Sequence, residues 1–247
     1  MKLLVCVSKT PDTTTKIAFN GDNTELDTQN VQYIMNPYDE WYALVRALEM
    51  KEQIGGTVTL VNVGPAANDT VIRKGLAIGA DDAVRIDAEP TNALFVAQQI
   101  AAYAKDQGFD GIFLGKESID FNGSEVGAML AELLDLPFIS FATKMEVEGT
   151  TATISRDIEG GNEVLSIDFP FVVSAAKGLA EQRIPNMRGI MMAKRKPLNV
   201  VPAAEVSAAG ATVISYALPP EKAGVKLIDP ENMEELVNLL HSDSKVI

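Results

Sequence analysis

The chain is poor in the side chains that most often break bonds. In 247 residues it has one cysteine, Cys6, and one histidine, His241. A single cysteine excludes an internal disulfide and suits a reducing cytoplasm, and a Cys/His metal centre cannot be assembled. One histidine in the tail leaves little for imidazole acid–base chemistry. Positive charge is short as well. The 21 Lys and Arg against 34 Asp and Glu give a net charge of -13, which argues against nucleic acid as a partner, because a phosphate backbone needs a basic surface. No apolar run reaches the length of a membrane span, and no basic-then-apolar leader precedes the first apolar stretch. What remains is a globular composition, 47% hydrophobic and 22% charged, enough for one large domain or one with an extra layer. The balance favours binding or carrying over bond-breaking.

Apolar runs at 3–7, 58–63, 83–86 and 111–114 read as buried strands, and helical apolar spacing follows each of the last three. The first strand is followed by Pro11-Asp12 and by a small hairpin at 16–27 with Asn20-Gly21 as the turn pair. Asn36-Pro37-Tyr38-Asp39 reads as a helix start, with Asn36 as N-cap, Pro37 in the first helical position and Asp39 complementing the dipole. Helices are expected from there to Gly55, over 68–78, over 92–106 and from near Ser124. Strands alternating with helices of this length imply βαβ units, hence an α/β fold with a doubly wound, mostly parallel sheet.

Ligands of such sheets sit beyond the carboxyl ends of the strands, at a switch point. The loops leaving those ends are 7–12, 63–66 and 115–124, all small, polar or rich in Gly and Pro. The stretch from Asp110 to Ala131 is the most telling. An apolar strand gives way to Gly115, Lys116, Ser118, Asp120, Asn122, Gly123 and Ser124, and then to a helix. Free N–H groups and the positive end of a helix dipole meet there, which suits a phosphate and points to a nucleotide site.

Past Leu136-Pro137 the pattern changes to strands at 139–147, 151–158 and 164–173, the second and third joined at Glu159-Gly160-Gly161-Asn162. That is an antiparallel extension of the parallel layer. Residues 182–204 hold Arg183, Arg188, Lys194, Arg195 and Lys196, a local reversal of charge, and Met187, Met191 and Met192 lie among them. Pro185 and Gly189 break the helical period there. Thioethers flanked by cations suit a surface that meets several partners. The tail from Tyr216, with Leu218-Pro219-Pro220 and a short helix near 232–241, reads as an arm over another surface.

Together these features resemble the electron transfer flavoprotein beta subunit family. The specific part is Ile154, Arg156, Glu159-Gly160-Gly161, Glu163, Leu165, Pro170 and Val172-Val173-Ser174, joined by Asn36-Pro37, Gly79-Ala80-Asp81, Gly115-Lys116, Ile119-Asp120, Gly127 and Ala223-Gly224-Val225-Lys226. The resemblance implies an electron carrier and not an enzyme. It implies a heterodimer with an alpha subunit that holds most of a shared FAD, and AMP bound structurally in the beta subunit. Electrons would come from flavin-dependent donors such as acyl-CoA dehydrogenases of fatty acid oxidation, and go to a quinone-linked oxidoreductase. Carried over by residue, the nucleotide site is Cys6, Asn36, Pro37, Tyr38, Asp39, Val63, Asp120, Phe121, Asn122, Gly123, Ser124, Glu125, Val126, Gly127, Ala128, Met129, Leu130 and Ala131. Partner docking falls to Met187, Arg188, Ile190 and Met191, with Met187 where the family has a protruding leucine. The implied layout is a nucleotide-binding domain over 1–182, a recognition segment over 183–204, and an arm with a helix over 205–247. AMP-binding members carry Asn-Gln-Thr-Gly where this chain has Ser124-Glu125-Val126-Gly127, and Val126 with Asn36–Asp39 leans toward flavin-bifurcating members that hold a second FAD there. AMP and FAD both stay open, as does a free-standing nucleotide-binding regulator with a similar sheet.

Overall fold

The structure is a computed structural model that describes residues 1–206, 210–222 and 224–247. Ala223 of the tail motif and residues 207–209 of the arm lie outside the described residues.

The four apolar runs form the middle of the sheet as parallel strands: β1 (Lys2–Cys6), β4 (Thr57–Val63), β5 (Asp82–Asp87) and β6 (Gly111–Gly115). Along β1 the side chains alternate between two cores. Leu3 and Val5 pack with α1 (Asp39–Ile54) and α2 (Asp69–Ile78), while Leu4 and Cys6 pack with α3 (Ala93–Ala104) and α4 (Val126–Leu134). Both faces of each strand are therefore covered, which is why these runs are continuously apolar and not alternating.

After α4 come β7 (Phe138–Glu148), β8 (Thr151–Ile158) and β9 (Gly161–Asp168), an antiparallel meander with a tight turn at Glu159-Gly160. The expected third strand over 164–173 is two strands. β9 ends at Asp168, and β10 (Phe171–Ala175) lies between β6 and β7, parallel to both. A run read as one β-rich segment thus turns back at Phe169-Pro170 and enters the buried layer.

With β11 (Leu198–Pro202) at one edge, the complete order is β11-β5-β4-β1-β6-β10-β7-β8-β9. That outer strand follows α5 (Met187–Ala193), so the basic segment contributes a helix and a sheet edge. Asn186 accepts from Gly189 N at 2.8 Å, and this cap lets α5 form where Pro185 and Gly189 suggested a break. A small ribbon of β2 (Lys9–Pro11) and β3 (Tyr33–Met35) brings residue 36 back beside the end of β1. The hairpin at 16–27 closes by a bridge between Phe19 and Leu26, with Asn20 N donating to Glu25 O, so its loop is longer than an Asn-Gly turn. The terminal helix α6 (Met233–Leu239) buries none of its residues.

Candidate functional site

Strand order reverses between β1 and β6: β4 and β5 extend the sheet on one side, β10 and β7 on the other. The loops at this switch point are laced together by one residue, through its side chain and its backbone N–H. Asn36 is buried, donates Nδ2 to Glu117 O at 2.9 Å and accepts from Ile119 N at 3.0 Å. Its own N–H donates to Ser8 O at 3.0 Å. Three loops are joined at this point. Asn36 is therefore not the N-cap of α1, as its place before Pro37 suggested. The helix starts at Asp39 behind Tyr38, whose φ is 63° and whose side chain makes no capping bond.

The first turn of α1 lies against the end of β6, and Gly115 permits it, since a Cβ there would sit 2.8 Å from Glu40 N. Glu40 reaches the end of β1, accepting from Ser8 N at 2.7 Å and Ser8 Oγ at 2.5 Å. Burial pushes its carboxyl up to about 8, the Ser8 bonds pull the other way, and the Asp120 charge adds to the rise. Asp39 rises to about 6, again by burial, against the pull of Lys116. Cys6, at the end of β1, has its thiol pushed up by burial and by Glu40, so it is an apolar neighbour and not a nucleophile.

Two carboxyls raised in the folded state make stability depend on pH. Each contribution is full below the unfolded value and is lost as pH rises to the folded one, so thermal stability should fall from pH 5 to about 8. Glu40→Gln should flatten the upper part of that decline in a melting series. An unchanged slope would show that Glu40 ionises normally.

From β6 the chain runs through a loop in which Asn122 and Ser124 adopt left-handed φ of 49° and 53°. Glu117 holds this loop, pairing with Lys116 at 3.0 Å and accepting from Ser124 Oγ at 3.2 Å. Helix α4 then begins at Val126 behind Glu125, with no side-chain cap. Its first turn takes no side-chain cap, and the helix dipole adds positive potential there. Gly127 brings that turn close to the sheet, where a Cβ would meet the Phe138 ring at 2.9 Å.

The residues expected at the nucleotide site divide by position. Asn36, Pro37, Tyr38, Asp39, Asp120–Glu125 and the start of α4 belong to one rim, next to the ends of β1 and β4 that carry Cys6 and Val63. Phe121 is bare at 71% exposure and Glu125 is exposed. Leu130 and Ala131 are buried in the core beside α3 and hold the helix in place. Sequence reasoning missed Ser8, Glu40 and Glu117. It also missed a chain of amides in which Asn62 Nδ2 donates to Val7 O at 2.8 Å and Asn68 Nδ2 to Asn62 Oδ1 at 3.0 Å. The available signal was an asparagine inside the apolar run Thr57–Val63.

The basic segment is anchored on both sides. Trp41 Nε1 donates to Arg183 O at 3.0 Å, and Arg183 forks onto Glu52 at 2.6 and 2.9 Å. Arg73 donates to Ala193 O and Lys196 O, and Lys196 Nζ to Leu76 O at 2.9 Å. Between the anchors Ile184 projects at 87% exposure, above Met187 at 75%, with Arg188, Ile190 and Met191 also exposed. Ile184, just before Pro185, was not expected to protrude. No helix among the described residues is long and apolar enough to cross a membrane.

A doubly wound, mostly parallel sheet with helices on both faces defines an α/β protein. Residues 24–206 match the family model of the electron transfer flavoprotein domain. The chain is 38% identical to the electron transfer flavoprotein subunit beta of Bacillus subtilis (strain 168), over the full length of both. It is 34% identical to that of Homo sapiens, over 100% of this chain and 99% of the relative, and 33% identical to the mitochondrial one of Arabidopsis thaliana, over the full length of both. The chain belongs to the electron transfer flavoprotein family.

Proposed function

We propose that this chain is the beta subunit of a heterodimeric electron carrier and that its rim holds an AMP as a structural element. The observation that carries the nucleotide reading is the uncapped start of α4 set beside loops laced by Asn36. The phosphate would take the first-turn N–H groups of α4, and Cys6, Val63 and Asn36–Asp39 would border the nucleoside. Glu125 is exposed and can turn to water, so its charge is compatible with an anion there.

A shared FAD, held mostly by the larger alpha subunit, supplies the redox chemistry when bound. This chain's residues would exclude water from one side of it and fix the geometry, with no proton moved by a protein group. The docking surface is the Ile184–Met192 face, held by the Trp41–Arg183 and Arg73–Ala193 bonds. Ile184 and Met187 are its apolar pegs. The donors would be acyl-CoA dehydrogenase-type flavoproteins and the acceptor a quinone-linked oxidoreductase.

One observation favours a second reading, a flavin-bifurcating subunit with FAD in the rim. Tyr38 and Phe121 both present exposed rings there, which suit a second flavin better than a buried AMP.

Co-expression with the larger subunit tests the carrier role. A flavin-containing heterodimer whose FAD is bleached by a substrate-reduced acyl-CoA dehydrogenase is the expected result. A flavin-free homodimer would replace the proposal with the free-standing regulator.

A further inference from the structure

The hairpin at 16–27 belongs neither to the sheet nor to the nucleotide rim, yet the C-terminal arm touches it, beyond a first approach of Gly210 to Asn92. Phe19 and Tyr216 stack with ring centroids 5.0 Å apart and planes 12° from parallel. Tyr216 N also donates to Asn23 O at 2.7 Å. The hairpin is built to hold that acceptor: Asn23 has a left-handed φ of 56°, and its loop is closed by Thr24 N donating to Asn20 Oδ1 at 3.1 Å. Beyond this contact the arm covers little of its own chain. Ile214, Val225 and Leu227 are 85%, 88% and 88% exposed, and Val213 and Leu218 are exposed too. So many bare aliphatic side chains on backbone without regular structure mark a surface meant to be covered.

We infer that the hairpin is a docking post: Phe19 and Asn23 hold Tyr216 so that the arm leaves the body in the direction in which the larger subunit closes on it. The inference rests on the heterodimer reading above and adds a residue-level device to it. Its physical basis is preorganisation. An arm tethered at one point only through its backbone would lose more conformational freedom on association than one already stacked at Tyr216. Further along, Lys226 Nζ pairs with Glu235 Oε1 at 2.9 Å, which ties the arm to α6 and not to the body.

The test is the affinity of the full-length chain for the larger subunit, read by subunit exchange of the purified heterodimer. Phe19→Ala and Tyr216→Ala should each weaken assembly roughly three- to tenfold, the scale of an aromatic pair, and the double variant should lose no more than either alone. Tyr216→Phe keeps the stack and should bind as the parent does. Ile214→Asp combined with Leu227→Asp charges the arm's apolar side and reports whether the arm meets the partner at all. If that variant weakens assembly while both alanine variants do not, the post is overturned and the arm contact stands. If none of them weakens assembly, both are overturned.

Discussion

Replacing Asn36 with alanine should both destabilise the chain and leave the proposed nucleotide site unformed. The side chain is buried and ties the start of α1 to the loop after β6. Removing it orphans Glu117 O and Ile119 N. Each buried group left without a partner costs about 1–3 kcal/mol, so a loss of roughly 2–4 kcal/mol in urea unfolding is expected. The loop from Lys116 to Glu125 would lose its tie to the start of α1, and the α4 N-terminus would no longer face a fixed counterpart. Bound nucleotide should fall below detection in the purified complex. Asn36→Asp separates the two effects. It can still accept from Ile119 N, cannot donate to Glu117 O, and adds charge near Glu40 and Asp120. Stability should lie between parent and alanine variant, with nucleotide lost in both. Parent-like nucleotide content in Asn36→Ala would show that the lacing is not what shapes the rim.

The second large effect is expected at Ile184. Exposed at 87% and held between the Arg183 and Ala193 anchors, it is an apolar side chain that the described residues leave almost uncovered. Truncating such an anchor in an interface costs at least about 2 kcal/mol when it fills a pocket on the partner. Ile184→Ala should therefore slow electron transfer from a reduced dehydrogenase by about 10- to 100-fold at limiting partner concentration. Flavin content and melting temperature should not change, since the side chain is 87% exposed and contributes little burial. Met187→Ala should give a smaller loss. Equal transfer rates in the Ile184 variant and the parent would overturn the proposed docking role of this face.

The middle of the fold was legible because its strands are buried on both faces and so write themselves as unbroken apolar runs. The loops at 7–12, 63–66 and 115–124 could be assigned to one rim for the same reason: in a parallel sheet all strand ends of one kind lie together. What could not be read depended on contacts distant in sequence. Asn36 looks like a cap by its neighbours, Pro37 and Asp39, but its side-chain hydrogen bonds go to residues more than eighty positions away. β9 and β10 read as one strand, since nothing local to Phe169-Pro170 says that the next five residues are buried between β6 and β7. α5 was masked by Pro185 and Gly189. The proline precedes the helix, and the glycine allows a close approach to Ala77 O, where a Cβ would sit at 2.4 Å. Ile184 went unnoticed because projection is a property of the anchors around a side chain, not of the side chain itself.

The central claim is that the rim between β1 and β6 grips an adenine nucleotide that is not consumed. Acid release of the small molecules from the purified heterodimer, followed by chromatographic counting of AMP and FAD, tests it most directly. One AMP beside one FAD per heterodimer is the expected result, and two FAD molecules would keep the rim as the site while changing its occupant. A single FAD with no other adenine nucleotide would contradict the claim.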